Sequence, residues 1–254
     1  METLMSAPPI ARIFLAALLL LAGLAPARAA DVKVAVAANF TDPVKEIGQG
    51  FEKSTGHKLI LSFGATGQFY AQITQGAPFE VLISADQATP AKAIAEGYAV
   101  AGTAFTYAVG KLALFSKTAG AVAGETTLKE AKFAKLSIAN PATAPYGAAA
   151  IETMKALGVY EALAPKIVQG NNIAQAFQFV DTGNAEVGFV ALSQIAFVEG
   201  GSRWIVPANL HKPIAQDVVL LKAGANNETA KAFLQYLKSP DARRVIEKFG
   251  YGID

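Results

Sequence analysis

Four short stretches carry the residue types that could do chemistry. They are Ala37-Ala38-Asn39-Phe40-Thr41, Gly64-Ala65-Thr66-Gly67, Asn140-Pro141-Ala142-Thr143-Ala144-Pro145-Tyr146-Gly147 and Gly170-Asn171-Asn172-Ile173. Each is rich in small and hydroxylated residues and precedes a predicted helix. The first turn of a helix leaves its N–H groups without intrahelical acceptors, and it carries roughly half a positive charge. Several such ends aimed at one point would cage an anion, with Asn, Thr and Tyr side chains adding hydrogen bonds. Taken singly, each stretch is an ordinary cap or turn. None of the four contains a lysine or arginine, so a site built from them would hold its anion with dipoles and N–H groups. A fully deprotonated oxyanion needs only donors, whereas a protonated one also needs an acceptor.

Other chemistry is poorly served. The chain has no cysteine and two histidines, His57 and His211. That excludes disulfides, thiolate metal sites and cysteine nucleophiles, and it argues against a multi-histidine metal centre. Both histidines lie in turn-like, surface-type sequence. No G-x-S-x-G elbow accompanies them for a serine hydrolase. Gly110-Lys111 is followed by Leu112 rather than Ser or Thr, so it is no P-loop, and there is no G-x-G-x-x-G. Glu80 and Asp86 read as single capping or solvated acids, and Trp204 as core.

The elements that must position the four stretches alternate between strand and helix. Strands are expected at Val32 to Ala38, Leu59 to Leu61, Val81 to Ile83, Leu112 to Phe115, Leu136 to Ala139, Val187 to Val190 and Val218 to Leu221. Helices are expected from Thr41 to Gly56, from Phe69 to Ile73 and from Pro90 to Glu96. Further helices are expected at Tyr146 to Leu157, Ile173 to Val180, Leu192 to Val198, Thr229 to Leu237 and Asp241 to Phe249. Such alternation predicts an α/β protein with largely parallel sheet. No composition shift or linker marks a domain boundary.

The 254 residues are 52% hydrophobic and 17% charged, enough apolar surface for a real core. Lys plus Arg is 22 against 20 Asp plus Glu, a net +2 that gives no reason to expect nucleic acid as a partner. Arg12, the apolar run Ile13 to Ala25, Pro26 and Ala27-Arg28-Ala29 together read as a signal peptide over residues 1–29. Cleavage is expected after Ala29 or Ala30, with the mature chain in the periplasm. No lipid anchor is possible without a cysteine.

In order and spacing, the motifs resemble the periplasmic molybdate-binding proteins, the substrate-binding components of molybdate ABC transporters. The segments that carry the resemblance begin with Val34-Ala35-Val36-Ala37-Ala38-Asn39-Phe40-Thr41, Ser62-Phe63-Gly64-Ala65-Thr66-Gly67-Gln68 and Gly76-Ala77-Pro78-Phe79-Glu80-Val81-Leu82-Ile83-Ser84-Ala85-Asp86. Asn140-Pro141 through Pro145-Tyr146-Gly147, Gly183-Asn184-Ala185-Glu186-Val187-Gly188-Phe189-Val190 and the stretch from Ser239-Pro240-Asp241-Ala242 to Phe249-Gly250 complete it. The resemblance implies a type II periplasmic binding fold with two lobes and a ligand cleft between them. Residues 30–110 and 215–254 would form lobe one and residues 111–214 lobe two. It implies molybdate and tungstate as ligands, held by Asn39, Thr66, Tyr146 and Ile173, with Ile173 acting through its backbone. Molybdenum would be bound only as its oxyanion, with no direct metal ligand.

The implied protein is a monomer without cofactor or catalysis that delivers its anion to a membrane permease. One position departs from the family pattern. Some members have a ligand tyrosine after the Gly-x-Val strand, and here that position is Ala191. The resemblance leaves open whether Tyr146 offers its hydroxyl or only its backbone. Sulfate or another small oxyanion on the same fold is the alternative ligand. A secreted hydrolase is the rival of another class.

Overall fold

The computed structural model describes residues 31–253; the expected signal peptide and its cleavage point lie outside them. Two five-stranded sheets carry the architecture. The first contains β1 (Asp31–Ala37), β2 (Lys58–Gly64), β3 (Val81–Ile83), β4 (Phe105–Gly110) and a late strand, β10 (Ile214–Leu220). Their spatial order is β2-β1-β3-β10-β4. The second contains β5 (Leu112–Ser116), β6 (Leu136–Ala139), β7 (Ile167–Gly170), β8 (Val187–Ala191) and β9 (Ser202–Ile205), in the order β7-β6-β8-β5-β9. The chain leaves the first sheet through Lys111, between β4 and β5. It returns between β9 and β10. The result is an α/β fold of two lobes.

Local sequence accounts for the helices. The helix α1 (Thr41–Thr55) buries Val44, Ile47 and Phe51, spaced three and four apart, and stops at Gly56 in the left-handed region, φ 74°. Next come α2 (Thr66–Thr74) and α3 (Ala88–Ala95), and in the second half α4 (Thr126–Glu130), α5 (Pro145–Ala156), α6 (Tyr160–Leu163) and α7 (Ile173–Asp181). Proline stands at the first position of α5, where no intrahelical N–H is needed. Asn172 caps α7 by accepting from Gln175 N. Two closing helices, α8 (Glu228–Tyr236) and α9 (Pro240–Lys248), pack beside the first sheet, capped by Asn227 and Ser239.

Each sheet has its own apolar core. The first buries Val32, Val34, Phe40, Phe51, Phe233 and Ile246 on one face and Phe69, Leu82 and Val219 on the other. The second buries Leu112, Leu136, Met154 and Phe189. Ala37, Ala38, Ala65 and Ala85, at the C-terminal ends of first-sheet strands or just beyond, pack into that second core. Small side chains there let the two halves approach closely.

The expectation of largely parallel sheet is corrected. β1 pairs in parallel with β2 and β3, and β6 with β7 and β8. β10 runs antiparallel to β3 and β4, and β5 runs antiparallel to β8 and β9. β5 is the first strand after the chain enters the second sheet and β10 the first after it returns, so neither is set in direction by a strand-helix-strand unit within its own sheet. The expected helix from Leu192 to Val198 is a 3-10 turn, Leu192–Gln194, followed by loop. Trp204 is half-buried at the edge of the second core, not within it. No helix among the described residues is long and apolar enough to cross a membrane.

Candidate functional site: a charge-free cavity at four helix N-termini

All four donor-rich stretches meet at one small cavity between the sheets. Its lining includes Ala38, Asn39, Thr66, Tyr146 and Ile173 together with Gly64, Ala65, Ala85 and Asn172, and it is small, with about 10 Å³ open to the centre of a water molecule. No lining residue is ionisable except Tyr146. Burial raises the Tyr146 hydroxyl well above its ordinary range, helped by the neighbouring Tyr251 and opposed by a hydrogen bond from Gln216. It is therefore a neutral donor at physiological pH. A wider groove beside the cavity is lined by Asp86, Glu152 and Lys212; its carboxylates suit an anion poorly.

The backbone accounting shows which N–H groups remain for a ligand. At α2, Ala65 N donates to Gln68 Oε1 (3.2 Å) and Gly67 N to Thr143 O (2.9 Å). Thr66, the first residue of that helix, keeps its N–H uncommitted. At α5, Ala144 N donates to Asn140 O and Gly147 N to Ala144 O, while Pro145 has no N–H. That leaves the N–H of Tyr146. At α7, Asn171 N donates to Gln175 Oε1 (2.7 Å) and Gln175 N to Asn172 Oδ1 (3.0 Å), while Ile173, the first residue of the helix, keeps its N–H uncommitted. Asn39 sits in the 3-10 turn Ala38–Phe40 directly after β1, again among first-turn donors. At each junction, at least one residue with an uncommitted N–H thus lines the cavity.

Side chains add to this set unequally. Thr66 Oγ1 accepts from Ala85 N (3.0 Å), so its own proton is free to be donated. The amide nitrogen of the Asn39 side chain is fully engaged: Nδ2 donates to Gln216 Oε1 (2.8 Å) and to the Tyr251 hydroxyl (3.0 Å). What Asn39 can offer a ligand is its main-chain N–H. Behind the cavity lies a buried polar network that sequence reasoning missed. Gln216 Oε1 also accepts from the Tyr107 hydroxyl (2.9 Å), and Gln216 Nε2 donates to the Tyr146 hydroxyl (3.1 Å). The Tyr251 hydroxyl donates to Asn39 O (2.7 Å), and Ser193 Oγ donates to the same oxygen (2.8 Å). Gln216 is wholly buried, but its setting beside Asp217 in Ile-Ala-Gln-Asp-Val-Val-Leu gives no sequence signal of that.

The network also sets the response to alkali. Burial pushes the Tyr251 hydroxyl up to about 12, against the lowering effect of its hydrogen bonds with Ser193, Asn39 and Tyr146. Burial likewise raises Tyr107 well above its ordinary value, with neighbouring Tyr251 and Tyr146 adding to it. The unfolded chain loses these protons near pH 10, while the folded chain holds them. Stability is therefore undiminished below about pH 10 and falls as pH rises toward 12, by about 3 kcal/mol for Tyr251 alone. Urea midpoints measured from pH 8 to 12 should decline over that window. A flat profile would contradict the buried, neutral network.

His57 and His211 are not at the cavity. Among the described residues, no group of three or more His, Asp or Glu side chains is placed to hold a metal ion. Asp86 serves as a local cap, accepting from Thr89 N (2.8 Å).

Comparison with known proteins agrees with this construction. The profile of the bacterial extracellular solute-binding proteins matches residues 32–252. The molybdate-binding protein ModA of Rhodobacter capsulatus is 57% identical over 236 residues, covering 92% of this chain and 94% of that one. The ModA of Azotobacter vinelandii is 56% identical, covering 89% and 92%. A solved Azotobacter vinelandii periplasmic molybdate-binding protein superposes with a TM-score of 0.85 at 38% identity, covering 88% of this chain and 99% of that one. These are binding proteins rather than enzymes. The chain belongs to the bacterial extracellular solute-binding proteins and, within them, to the molybdate-binding proteins.

Proposed function

We propose that the chain captures molybdate, and by the same chemistry tungstate, in the cavity between its two lobes and delivers it to the permease of an ABC transporter. The observation that carries this reading is the convergence of four uncommitted helix-terminal N–H groups on one cavity without formal charge. Such a cage supplies donors only, which fits a fully deprotonated tetrahedral oxyanion. Asn39, Tyr146 and Ile173 give main-chain N–H groups, Thr66 gives its N–H and its hydroxyl, and Tyr146 adds its phenol proton. Donors spaced for the larger anion stand too far from sulfate oxygens for good hydrogen bonds, so sulfate is rejected. The metal arrives and leaves as its oxyanion, and no cofactor takes part.

The lobes assigned to this reading are 30–110 with 215–254, and 111–214. Membership of the two sheets supports that division, because β4 and β5 meet at Lys111 and β10 returns the chain to the first sheet. Export by the signal peptide of residues 1–29 would place the protein in the periplasm as a monomer, where the permease reads lobe closure.

Thr66→Ala tests the site. It removes one hydroxyl donor and leaves the backbone donor in place. Molybdate affinity should fall by about 1–2 kcal/mol, roughly five- to thirty-fold. Loss of the contact with Ala85 N should cost only modest stability. Equilibrium dialysis giving unaltered affinity would remove the Thr66 hydroxyl from the site.

A further inference from the structure

Gln216 lies on β10, 70 residues from Tyr146 and 177 from Asn39, yet it touches both. Its side-chain amide is wholly buried, and its hydrogen bonds have fixed directions. Oε1 accepts from Asn39 Nδ2 and from the Tyr107 hydroxyl. Nε2 therefore faces Tyr146 and donates to its oxygen (3.1 Å). A phenol has one proton and accepts through its oxygen. With that oxygen already receiving a hydrogen bond, the single proton is what Tyr146 has left to give, and a cavity anion takes it in competition with the neighbouring Tyr251 oxygen. Gly110 completes the arrangement. A Cβ there would collide with the Tyr146 hydroxyl and stand 2.5 Å from Gln216 Nε2. Only glycine leaves room for the pair to meet.

We infer that Gln216 is a positioning residue for anion binding: it holds the Tyr146 hydroxyl as a committed donor and ties it to the Asn39 turn, in a space that Gly110 keeps open. This rests on the molybdate reading and adds to it a specific division of labour. Gln216 never touches the anion. It takes up acceptor capacity at the Tyr146 oxygen, as Ala85 N does at the Thr66 oxygen, so the cage favours fully deprotonated anions. The same amide anchors Asn39, so one side chain sets two of the four junctions.

The test is a double-mutant cycle read by calorimetric titration with molybdate. Gln216→Met should weaken binding about tenfold in the otherwise native chain and less than about twofold in the Tyr146→Phe background. Because Gln216→Met leaves buried donors unpaired and could fail to fold, Gly110→Ala gives a second arm. It separates the same two groups without deleting either, and its loss of affinity should likewise shrink below about twofold in the Tyr146→Phe background. Equal losses in both backgrounds would make Gln216 a purely structural residue and overturn the proposal. So would Tyr146→Phe binding as tightly as the native chain. The native chain is titrated in the same series. If it gives no heat with molybdate, the functional reading fails and this proposal with it. If it binds and the losses are merely additive, only the role of Gln216 fails.

Discussion

Ile173→Pro should weaken molybdate binding by about 3 kcal/mol, on the order of a hundredfold, while leaving α7 intact. The reasoning is confined to one hydrogen atom. Ile173 is the first residue of that helix, where its N–H has no intrahelical acceptor and proline is well tolerated. Asn172 before it is extended, at φ −151° and ψ 178°, the region that a residue preceding proline prefers. The cap from Asn172 Oδ1 to Gln175 N survives, as does the hydrogen bond that Gln194 Nε2 donates to Ile173 O. What disappears is the N–H facing the cavity, and the proline ring projects where that proton stood. A charged acceptor left without its donor in a dry site accounts for the size of the loss. Ile173→Ala is the control. It keeps the N–H and loses apolar packing, so it should cost about 2–3 kcal/mol of stability and little affinity. Proline and alanine variants with the same affinity would take the Ile173 backbone out of the site.

Gly147→Ala should destabilise the protein by about 3 kcal/mol and weaken binding more than tenfold. A Cβ at this position would collide with Ala139 O and lie 2.8 Å from the carbonyl carbon of Ala139 and 3.0 Å from that of Asn140. These are backbone atoms at the end of β6, which is paired on both sides within the second sheet. They cannot yield as the tip of a flexible side chain would. The start of α5 must move instead, and it carries the Tyr146 N–H away from the other three donors. Urea unfolding reads the first effect and titration of the folded fraction reads the second. Native-like stability together with native affinity would mean that the close approach of α5 to β6 does not set the cage.

The parts of this site that were legible in the sequence are those governed by local rules. Asn172 before an apolar helical repeat, Pro145 at a helix start and Gly56 at a helix end act within a few residues of themselves, so the stretches that become helix termini could be marked in advance. Their meeting at one cavity was an expectation drawn from composition and family resemblance, and no local rule states it. The network behind the cavity was not legible. Gln216 and Asn39 are 177 residues apart, and Tyr251 and Asn39 are 212 apart; no sequence period connects them. Asn39 illustrates the consequence. Its side chain looked like a ligand donor and is engaged inside the protein, so its main chain is what remains for an anion.

The strands that escaped notice have a similar explanation. β4 reads Phe-Thr-Tyr-Ala-Val-Gly, β7 reads Ile-Val-Gln-Gly, and β9 reads Ser-Arg-Trp-Ile with Arg203 and Ile205 exposed. Short, mixed runs of this kind acquire their strand character from neighbours in the sheet rather than from their own pattern. The antiparallel half of each sheet was hidden for a related reason: β5 and β10 each enter their sheet from the other one, and no local pattern states the direction in which they will pair.

The central claim is that four uncommitted N–H groups form a cage for a large, fully deprotonated oxyanion. Isothermal titration of the chain from Ala30 onward with molybdate, tungstate, sulfate and phosphate tests it most directly. The account expects tight one-to-one binding of molybdate and tungstate and no heat from sulfate or phosphate. Heat from sulfate or phosphate with silence from molybdate would contradict the claimed ligand, and silence from all four would contradict the cage itself.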